Sequence, residues 1–553
     1  MAAHQVTNQP PPLAGYDTFS QDAALVEALR REGAGWAEER LCGLGTLAGS
    51  EEVIEWGFDA NRNPPELHTH DRYGHRIDEV RYHPSYHRLM ATAVERGLHA
   101  APWRDPGVGA HVARAGGFYL WSQVDAGHGC PISMTYSVLP ALKAAPGLVE
   151  GWEPLLTSGV YDPAPGPAVA KAGALAGMGM TEKQGGSDVR ANTTWAQPAG
   201  GGREPGGAYR LTGHKWFCSA PMSDLLLVLA QAPGGLSCFA VAGWTPDGER
   251  NGISIQRLKD KLGNRSNASS EIELDGAWAT LVGEEGRGVG AIIEMVNHTR
   301  LDCVIGAASG MRQAVAQATH HANHRCAFGR RLVDQPLMTV VLADLALESE
   351  AATTTAMRLA GGYDRAGTDE REAAFSRLAT AVSKYWICKR QPVLVAEALE
   401  CLGGNGYVEE SILPRLFRES PLNSIWEGSG NVICLDVLRA MIRQPASVDA
   451  FFDELAAGSG ADRRLDSAVA GLSATLRQVS AFDAADVEAR ARTIVEAMAL
   501  VLQGSLLVRH SPAFVADAFC ASRLADGGGR AFGTLPAGVA VRPVVDRATP
   551  KLI

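Results

Sequence analysis

The chain has 553 residues, of which 46% are hydrophobic and 20% charged, and a formal net charge of −10 at pH 7. That length exceeds a single hydrophobic core and divides into about three or four units of ordinary domain size. The acidic balance excludes a protein coated in basic surface, and no stretch approaches the ~20 uninterrupted apolar residues of a membrane span. Met1 is followed by A-A-H-Q-V-T-N-Q-P-P-P-L, which lacks the charged start and apolar core of a secretory leader, so a cytoplasmic protein is expected. The ten cysteines lie singly from Cys42 to Cys520 with no C-x-x-C pair, as reduced buried thiols do, and they suggest neither a disulfide frame nor a zinc site.

Residues 1–165 read as an N-terminal helical domain behind a Pro-rich arm, with helices over Ala23–Glu39 and around His83–Arg96. Asn63-Pro64-Pro65 and Tyr73-Gly74-His75 punctuate a loop carrying His68, His70 and His75, with His83 and His87 beyond it. No carboxylate or cysteine pattern there fixes a metal geometry, so the histidines read as a solvated loop. From 166 to 285 the texture turns to short β-rich runs. Tyr209–Thr212, Leu225–Ala230, Cys238–Val241, Ile253–Leu258 and Glu271–Leu274 are spaced as strands of a small sheet or barrel, with turns at Gly200-Gly201-Gly202 and Pro205-Gly206-Gly207. From 286 to 445 the apolar residues return to helical spacing over Val289–Arg325, Met338–Gly361, Arg371–Cys401 and Val432–Ile442, which predicts a bundle. A C-terminal unit, 446–553, has helical segments at Leu465–Val479 and Val487–Val508; ten of its 11 cations are arginine, against 12 carboxylates.

Three segments carry candidate chemistry. In the first, Met178 to Val189, Gly185 and Gly186 expose backbone N–H groups, while Thr181 and Ser187 add hydroxyls able to reach ring or phosphate oxygens. In the second, Gly213 to Ser219, Trp216 can cover a flat ring and Ser219 can bond to it. The third is Ser424 to Cys434. Its Glu427 lies between bulky Trp426 and small Gly428 and Ser429, where a loop meets the start of a helix. A carboxylate hemmed in this way gains the raised proton affinity that a base abstracting carbon-bound protons needs, although an acid at a helix start also serves the dipole alone.

The blocks T-E-K-Q-G-G-S-D (181–188), G-H-K-W-F-C-S (213–219), K-L-G-N-R-S (261–266), R-C-A-F-G-R (325–330), L-G-G-N-G-Y (402–407) and I-W-E-G-S-G-N (425–431) resemble, in order and spacing, those of the acyl-CoA dehydrogenase superfamily. The M-G-M-T-E-K-Q-G-G-S-D run, the N-terminal N-P-P-E-L and H-P-x-Y-H, and the added unit after 445 are similar to the AidB branch, flavoproteins tied to the adaptive response to DNA alkylation. The resemblance implies a mainly α fold with a central β-barrel: a helical domain, the barrel, a helical bundle and an extra C-terminal helical domain. It also implies bound FAD and a homotetramer built as a dimer of dimers.

By motif match, Met178, Gly179, Met180, Thr181, Gly185, Gly186 and Ser187 form the flavin wall, and Trp216, Phe217, Cys218 and Ser219 lie along the ring. Ile425, Trp426, Gly428, Ser429, Asn431 and the rest of the segment to Leu435 contact flavin from the bundle. Arg325, Phe328, Gly329, Gly403 and Gly404 match positions that touch the FAD of a neighbouring subunit. Glu427 matches the catalytic glutamate, which takes the proton α to a thioester carbonyl as the β-hydride passes to flavin. The isovaleryl branch draws its base from just before an arginine on an earlier helix, where this chain has Thr299 before Arg300. Glu400 stands where many relatives have glutamine ahead of the Gly-Gly turn.

Two functions follow from the likeness. One is an AidB-like flavoprotein that binds double-stranded DNA through a basic face of the C-terminal unit, with Arg439, Arg443, Arg463, Arg464, Arg477, Arg490 and Arg492 as phosphate contacts. The other is a metabolic short- or branched-chain acyl-CoA dehydrogenase that uses Glu427.

Overall fold

Asp22 starts the first helix by accepting the Leu25 N–H at 3.2 Å, and the chain leaves that helix where Gly33 adopts φ +86°, a conformation that glycine takes at little cost. The single helix expected over Ala23–Glu39 is therefore two, α1 (Ala23–Arg31) and α2 (Glu38–Ala48). In this computed structural model the described residues are 4–200, 202–479, 483–525 and 527–551. Gly201 of the expected glycine turn, and Met1 to Ala3 ahead of the arm, lie outside them.

In chain order there follow α3 (Glu51–Arg62), β1 (Glu66–His70), β2 (Arg76–Arg81), α4 (Pro84–Glu95), α5 (Ala110–Ser122) and α6 (Gly129–Leu142). The β region holds β3 (Ala176–Gly179), β4 (Trp195–Pro198), β5 (Ala208–Ser219), β6 (Leu225–Ala232), β7 (Gly235–Ala242), β8 (Ile253–Leu258) and β9 (Ser269–Val282). After it come α7 (Gly288–His324), α8 (Pro336–Arg365), α9 (Glu370–Cys401), α10 (Leu413–Glu419), α11 (Gly430–Arg443), α12 (Pro445–Ala456), α13 (Arg463–Val479), α14 (Ala484–His510), α15 (Ala513–Phe519) and α16 (Val541–Ala548). The contacts group these into two units, one of residues 1–54, 107–124 and 303–553, the other of 55–106 and 125–302.

The second of these holds the barrel. β6, β4, β5, β9 and β7 pair in that order, and β7 pairs back to β6, which closes the ring; β3 runs parallel to β6, and β8 pairs with β9. Closure leaves no edge within the ring for another chain to extend. Tyr209, Leu211, Leu226, Val228, Phe239, Ile272 and Leu281 fill the interior. The expected histidine-rich loop is instead a hairpin. Leu67 and Val80 face each other across β1–β2 and pack on the barrel core, so the strand period places these two apolar residues inward among polar neighbours. α6 is buried on nearly every side, and Thr135 on it accepts the Ala176 N–H at 2.9 Å, fixing helix to β3.

The other unit is helical, with α8 and α9 packed together at its centre. Residues beyond Pro445 belong to the same compact unit as the bundle. Arg358 of α8 joins Glu372 of α9 at 2.9 Å and Glu454 of α12 at 2.7 Å, while Arg509 of α14 also bonds Glu454. α14 is long and apolar enough by length and composition to cross a membrane, yet 67% of its most apolar window is buried inside the fold, as in a core helix. Of the ten cysteines all are free, eight are buried, and only Cys326 is exposed.

Candidate active site

Candidate residues occur in both units. In the barrel unit, the polar loop after β3 is built around Glu182, whose side chain is fully buried. One of its carboxylate oxygens accepts Lys215 Nζ at 2.7 Å and the Thr194 N–H at 3.1 Å; the other accepts Thr193 N–H and Gln184 Nε2, each at 2.7 Å. Lys215 also donates to the Leu229 carbonyl at 2.7 Å. Burial acts to raise the Glu182 carboxyl, but the ammonium and the hydrogen bonds outweigh it and hold the group well below the usual carboxylate range; burial lowers the Lys215 ammonium against the pull of Glu182. A buried ion pair with its lone pairs satisfied is a rigid post, and it fixes where Thr181, Gly185, Gly186 and Ser187 stand.

The register of β5 against β9 slips between Lys215 and Cys218, leaving an extra residue on β5. Such a bulge re-aims side chains. The Trp216 N–H leaves the ladder for the Thr181 carbonyl at 2.8 Å, which joins the two candidate blocks, and Phe217 is 54% exposed. Lys259 Nζ sits 3.3 Å from the Trp216 ring centroid and 4.6 Å from that of Phe217. Met178, Gly179 and Cys218 are buried beside this face, and Cys218 Sγ reaches the Met178 carbonyl at 3.8 Å; Met180 and Ser219 are half-buried. The unit thus presents an aromatic pair, loop N–H groups, hydroxyls and a cation.

In the helical unit, Glu427 adopts φ +57°, in the left-handed region that a residue with a Cβ enters at a cost of about 1–3 kcal/mol. Lys384 of α9 holds it there. Its ammonium, 1% exposed, donates to the Trp426 carbonyl at 2.8 Å and to the Gly428 carbonyl, the two peptide groups that bracket Glu427. Trp426 is pinned in turn by Nε1 donating to Asn423 at 2.9 Å. Ser429 is the extended residue before α11, whose inward stripe of Ile433, Cys434, Val437 and Leu438 is buried. Ile425 stays 63% exposed. Asn431, on the first turn, accepts Arg492 Nε at 2.9 Å, so one of the arginines expected to contact DNA is bonded to a residue expected to contact flavin.

The segments expected to meet a neighbour's FAD are tied down by the Pro-rich arm. Asn8 exchanges two hydrogen bonds with the Cys326 backbone, at 2.7 and 2.8 Å; Arg325 donates to the Asn8 carbonyl at 2.6 Å, and Asn405 bonds Gln9 at 3.0 Å. Between them, Phe328 is 98% exposed at φ +52°, and Gly403 takes φ +61° beside exposed Gly404. Glu400 is exposed with no cation in ion-pair distance among the described residues. Thr299, the alternative base position, spends its hydroxyl on the Val296 carbonyl at 3.0 Å.

Arg439, Arg443 and Arg463 are exposed, with no carboxylate in ion-pair distance among the described residues, and Arg490 is exposed on α14. Arg464 is committed to Asp462 and, at 2.8 Å, to Asp517, and Arg477 donates to Ser473 at 2.7 Å.

Residues 8–163 match the adaptive response protein AidB N-terminal domain, 177–277 the acyl-CoA dehydrogenase middle domain and 286–442 the acyl-CoA dehydrogenase C-terminal domain. The AidB protein of Escherichia coli (strain K12) is 46% identical over 528 residues, 95% of each chain. The chain belongs to the AidB-type acyl-CoA dehydrogenases. Caenorhabditis elegans acyl-CoA dehydrogenase family member 11 is 31% identical over 84% of this chain and 78% of its own. Among solved structures, Caenorhabditis elegans ACDH-11 in complex with C11-CoA superposes with TM-score 0.85 at 27% identity, covering 97% and 96% of the two chains. The apo form of Bd2924 gives 0.82 at 29% identity, covering 91% and 99%.

In this AidB-type dehydrogenase, sequence reasoning singled out neither Lys384, nor the Glu182–Lys215 pair, nor the Asn8 clasp. Glu182 and Lys215 lie inside the T-E-K-Q-G-G-S-D and G-H-K-W-F-C-S blocks, and a lysine just ahead of the Trp216-Phe217-Cys218 run was the available signal. Lys384 gave none, because one lysine on a long amphipathic helix looks like any solvated one.

Proposed function

We propose that the protein is an FAD-dependent oxidoreductase acting on the CH–CH bond of an acyl thioester, with Glu427 as the base that takes the α-proton. The observation that carries this reading is the strained Glu427, clamped through its neighbouring carbonyls by a buried ammonium. Strain sustained at one carboxylate is a mark of function rather than of stability. The residues present fit FAD: Phe217 and Ile425 leave apolar side chains uncovered in the segments expected to hold its ring, and Gly186 lies against Thr181, where a Cβ would fall 2.5 Å from the hydroxyl. Thr181, the Gly185–Gly186 N–H groups, Ser187, Trp216 to Ser219 and Ile425 to Asn431 would hold it. When bound, FAD supplies a two-electron hydride acceptor. Glu427 takes the proton, Lys384 orients it, and Trp426 excludes water from the carboxylate. Glu427→Gln is the test: acyl-CoA turnover is lost with FAD retained, and unaltered turnover would remove Glu427 from the role.

The protein also associates with double-stranded DNA in this reading, as a cytoplasmic AidB-like member of the alkylation response. Exposed Arg439, Arg443 and Arg463, with no acid in ion-pair distance among the described residues, support it. Arg464 gives weaker support, because two aspartates already pair with it. Binding to a plain duplex should fall with salt at roughly one unit of log-log slope per phosphate contacted, and binding insensitive to salt would refute it. A homotetramer is proposed as well, supported by uncovered Phe328, Tyr407 and Ile442, at 98%, 80% and 76% exposure. If the protein does not bind DNA while the acyl-CoA reaction persists, the purely metabolic dehydrogenase is the remaining reading.

A further inference from the structure

A cavity of about 740 Å³ lies in the barrel unit, at the end where β6 and β8 begin and β7 finishes, walled by β2 and by the 161–166 loop. None of the flavin candidates in that unit lines it. Its volume is that of a small-molecule site. Three features of its lining bear on what it could hold.

Asp78, on β2, adopts φ +43°, left-handed geometry in a residue with a Cβ. Its Oδ2 accepts Arg76 Nε at 2.9 Å and the Ile255 N–H at 3.2 Å, while Oδ1 is buried with no partner among the described residues. Ser223, 5% exposed, carries a second unpartnered oxygen. Two unpartnered buried oxygens on one cavity can be satisfied by a ligand's donor or by an ordered water.

The cations of the lining are the third feature. Arg76 is paired with Asp78, Arg81 with Glu79 and Lys171 with Asp224. Arg250 has no carboxylate within 4.0 Å among the described residues, and its guanidinium lies 5.5 Å from the Trp244 ring centroid. Arg250, whose charge acts on Glu79 without a carboxylate in ion-pair distance, stands beside the Trp244 face with Tyr82 and Tyr161 also on the lining, a combination able to hold a flat ring and its negative charge together.

We propose that this cavity binds a small ring-bearing anion that also carries a hydrogen-bond donor: the ring against Trp244, the anionic group on Arg250, and the donor satisfying Asp78 or Ser223.

The test is calorimetric titration of the full-length, FAD-loaded protein with 1-anilinonaphthalene-8-sulfonate, an anion with a naphthalene, a phenyl ring and one N–H donor. Wild type should bind one probe per chain. Arg250→Ala should weaken binding about tenfold, the loss expected of one charge-assisted contact. Gly243→Phe should abolish it, since a Cβ at this lining glycine meets nothing within 4 Å and the ring grows into open space. The flavin spectrum and thermal midpoint should match wild type in both variants, showing that the fold is intact. Absence of binding to wild type, or equal binding to wild type and Gly243→Phe, would overturn the proposal.

Discussion

Replacing Lys384 by methionine keeps the length and the apolar stem and removes the ammonium. Two carbonyls then lose charge-assisted hydrogen bonds, each worth about 1.5–3 kcal/mol, and both lie where water does not readily replace the donor. The loss of roughly 3–6 kcal/mol exceeds the ~1–3 kcal/mol that holds Glu427 in its left-handed conformation, so the peptide relaxes and the carboxylate moves. A displacement of about 1 Å at a reacting group costs on the order of 100-fold in rate, so kcat for acyl-CoA oxidation should fall by about that factor. FAD content should fall far less than turnover, because Lys384 touches only two carbonyls of the bundle segment and leaves the flavin residues of the barrel as they are. A second measurement separates positioning from general destabilisation: Lys384→Met combined with Glu427→Gln should be no slower than Glu427→Gln alone, since residues acting as a unit are not additive. Wild-type turnover in Lys384→Met, or additive losses in the double variant, would refute the clamp.

Asn8→Ala removes two hydrogen bonds to Cys326, and FAD retention on dilution should drop about tenfold, at ~0.5–1.5 kcal/mol per bond. Unchanged FAD affinity would separate the clasp from the cofactor. Breaking the buried pair with Lys215→Met leaves Glu182 uncompensated and should cost about 3–5 kcal/mol in denaturant unfolding; a loss under 1 kcal/mol would show that the pair is no structural post. His321 and His510 are lowered to about 4, first by burial and then by Arg325 and Arg31 respectively. With folded pKa values below the ordinary 6.5, they contribute stability that is fully present above that value and is lost as pH falls toward 4, because the unfolded chain binds the extra protons. His321→Gln and His510→Gln should each flatten the acid limb of the stability curve, and an unaltered slope would contradict the assignment.

Much of the fold was legible because it follows from period and punctuation. The long helices α7, α8 and α9 start within about two residues of their apolar repeats, and the strands β6, β7 and β8 lie where runs of apolar residues are bounded by glycine or proline. β3 was not legible: A-G-M-G has no β-branched residue, and what makes it a strand is the partner it finds in Leu225 to Val228. The β1–β2 hairpin was missed for a related reason, since only Leu67 and Val80 betray its inward face among histidines and charges. In the candidate site, block matching found the segments but not their supports. Lys384 is 42 residues from Trp426, and Asn8 is 318 from Cys326, so no local pattern announces either contact. Arg464 shows what composition hides: a basic residue expected on a DNA face is ion-paired with Asp462 and Asp517.

The central claim is tested most directly by anaerobic titration of the FAD-loaded protein with saturated acyl-CoAs, from short branched chains to an eleven-carbon chain, following the flavin absorbance. At least one of them should bleach the wild-type flavin, and Glu427→Gln, with equal FAD content, should stay oxidised. Bleaching of the variant at the wild-type rate, or none in wild type across the series, would contradict it.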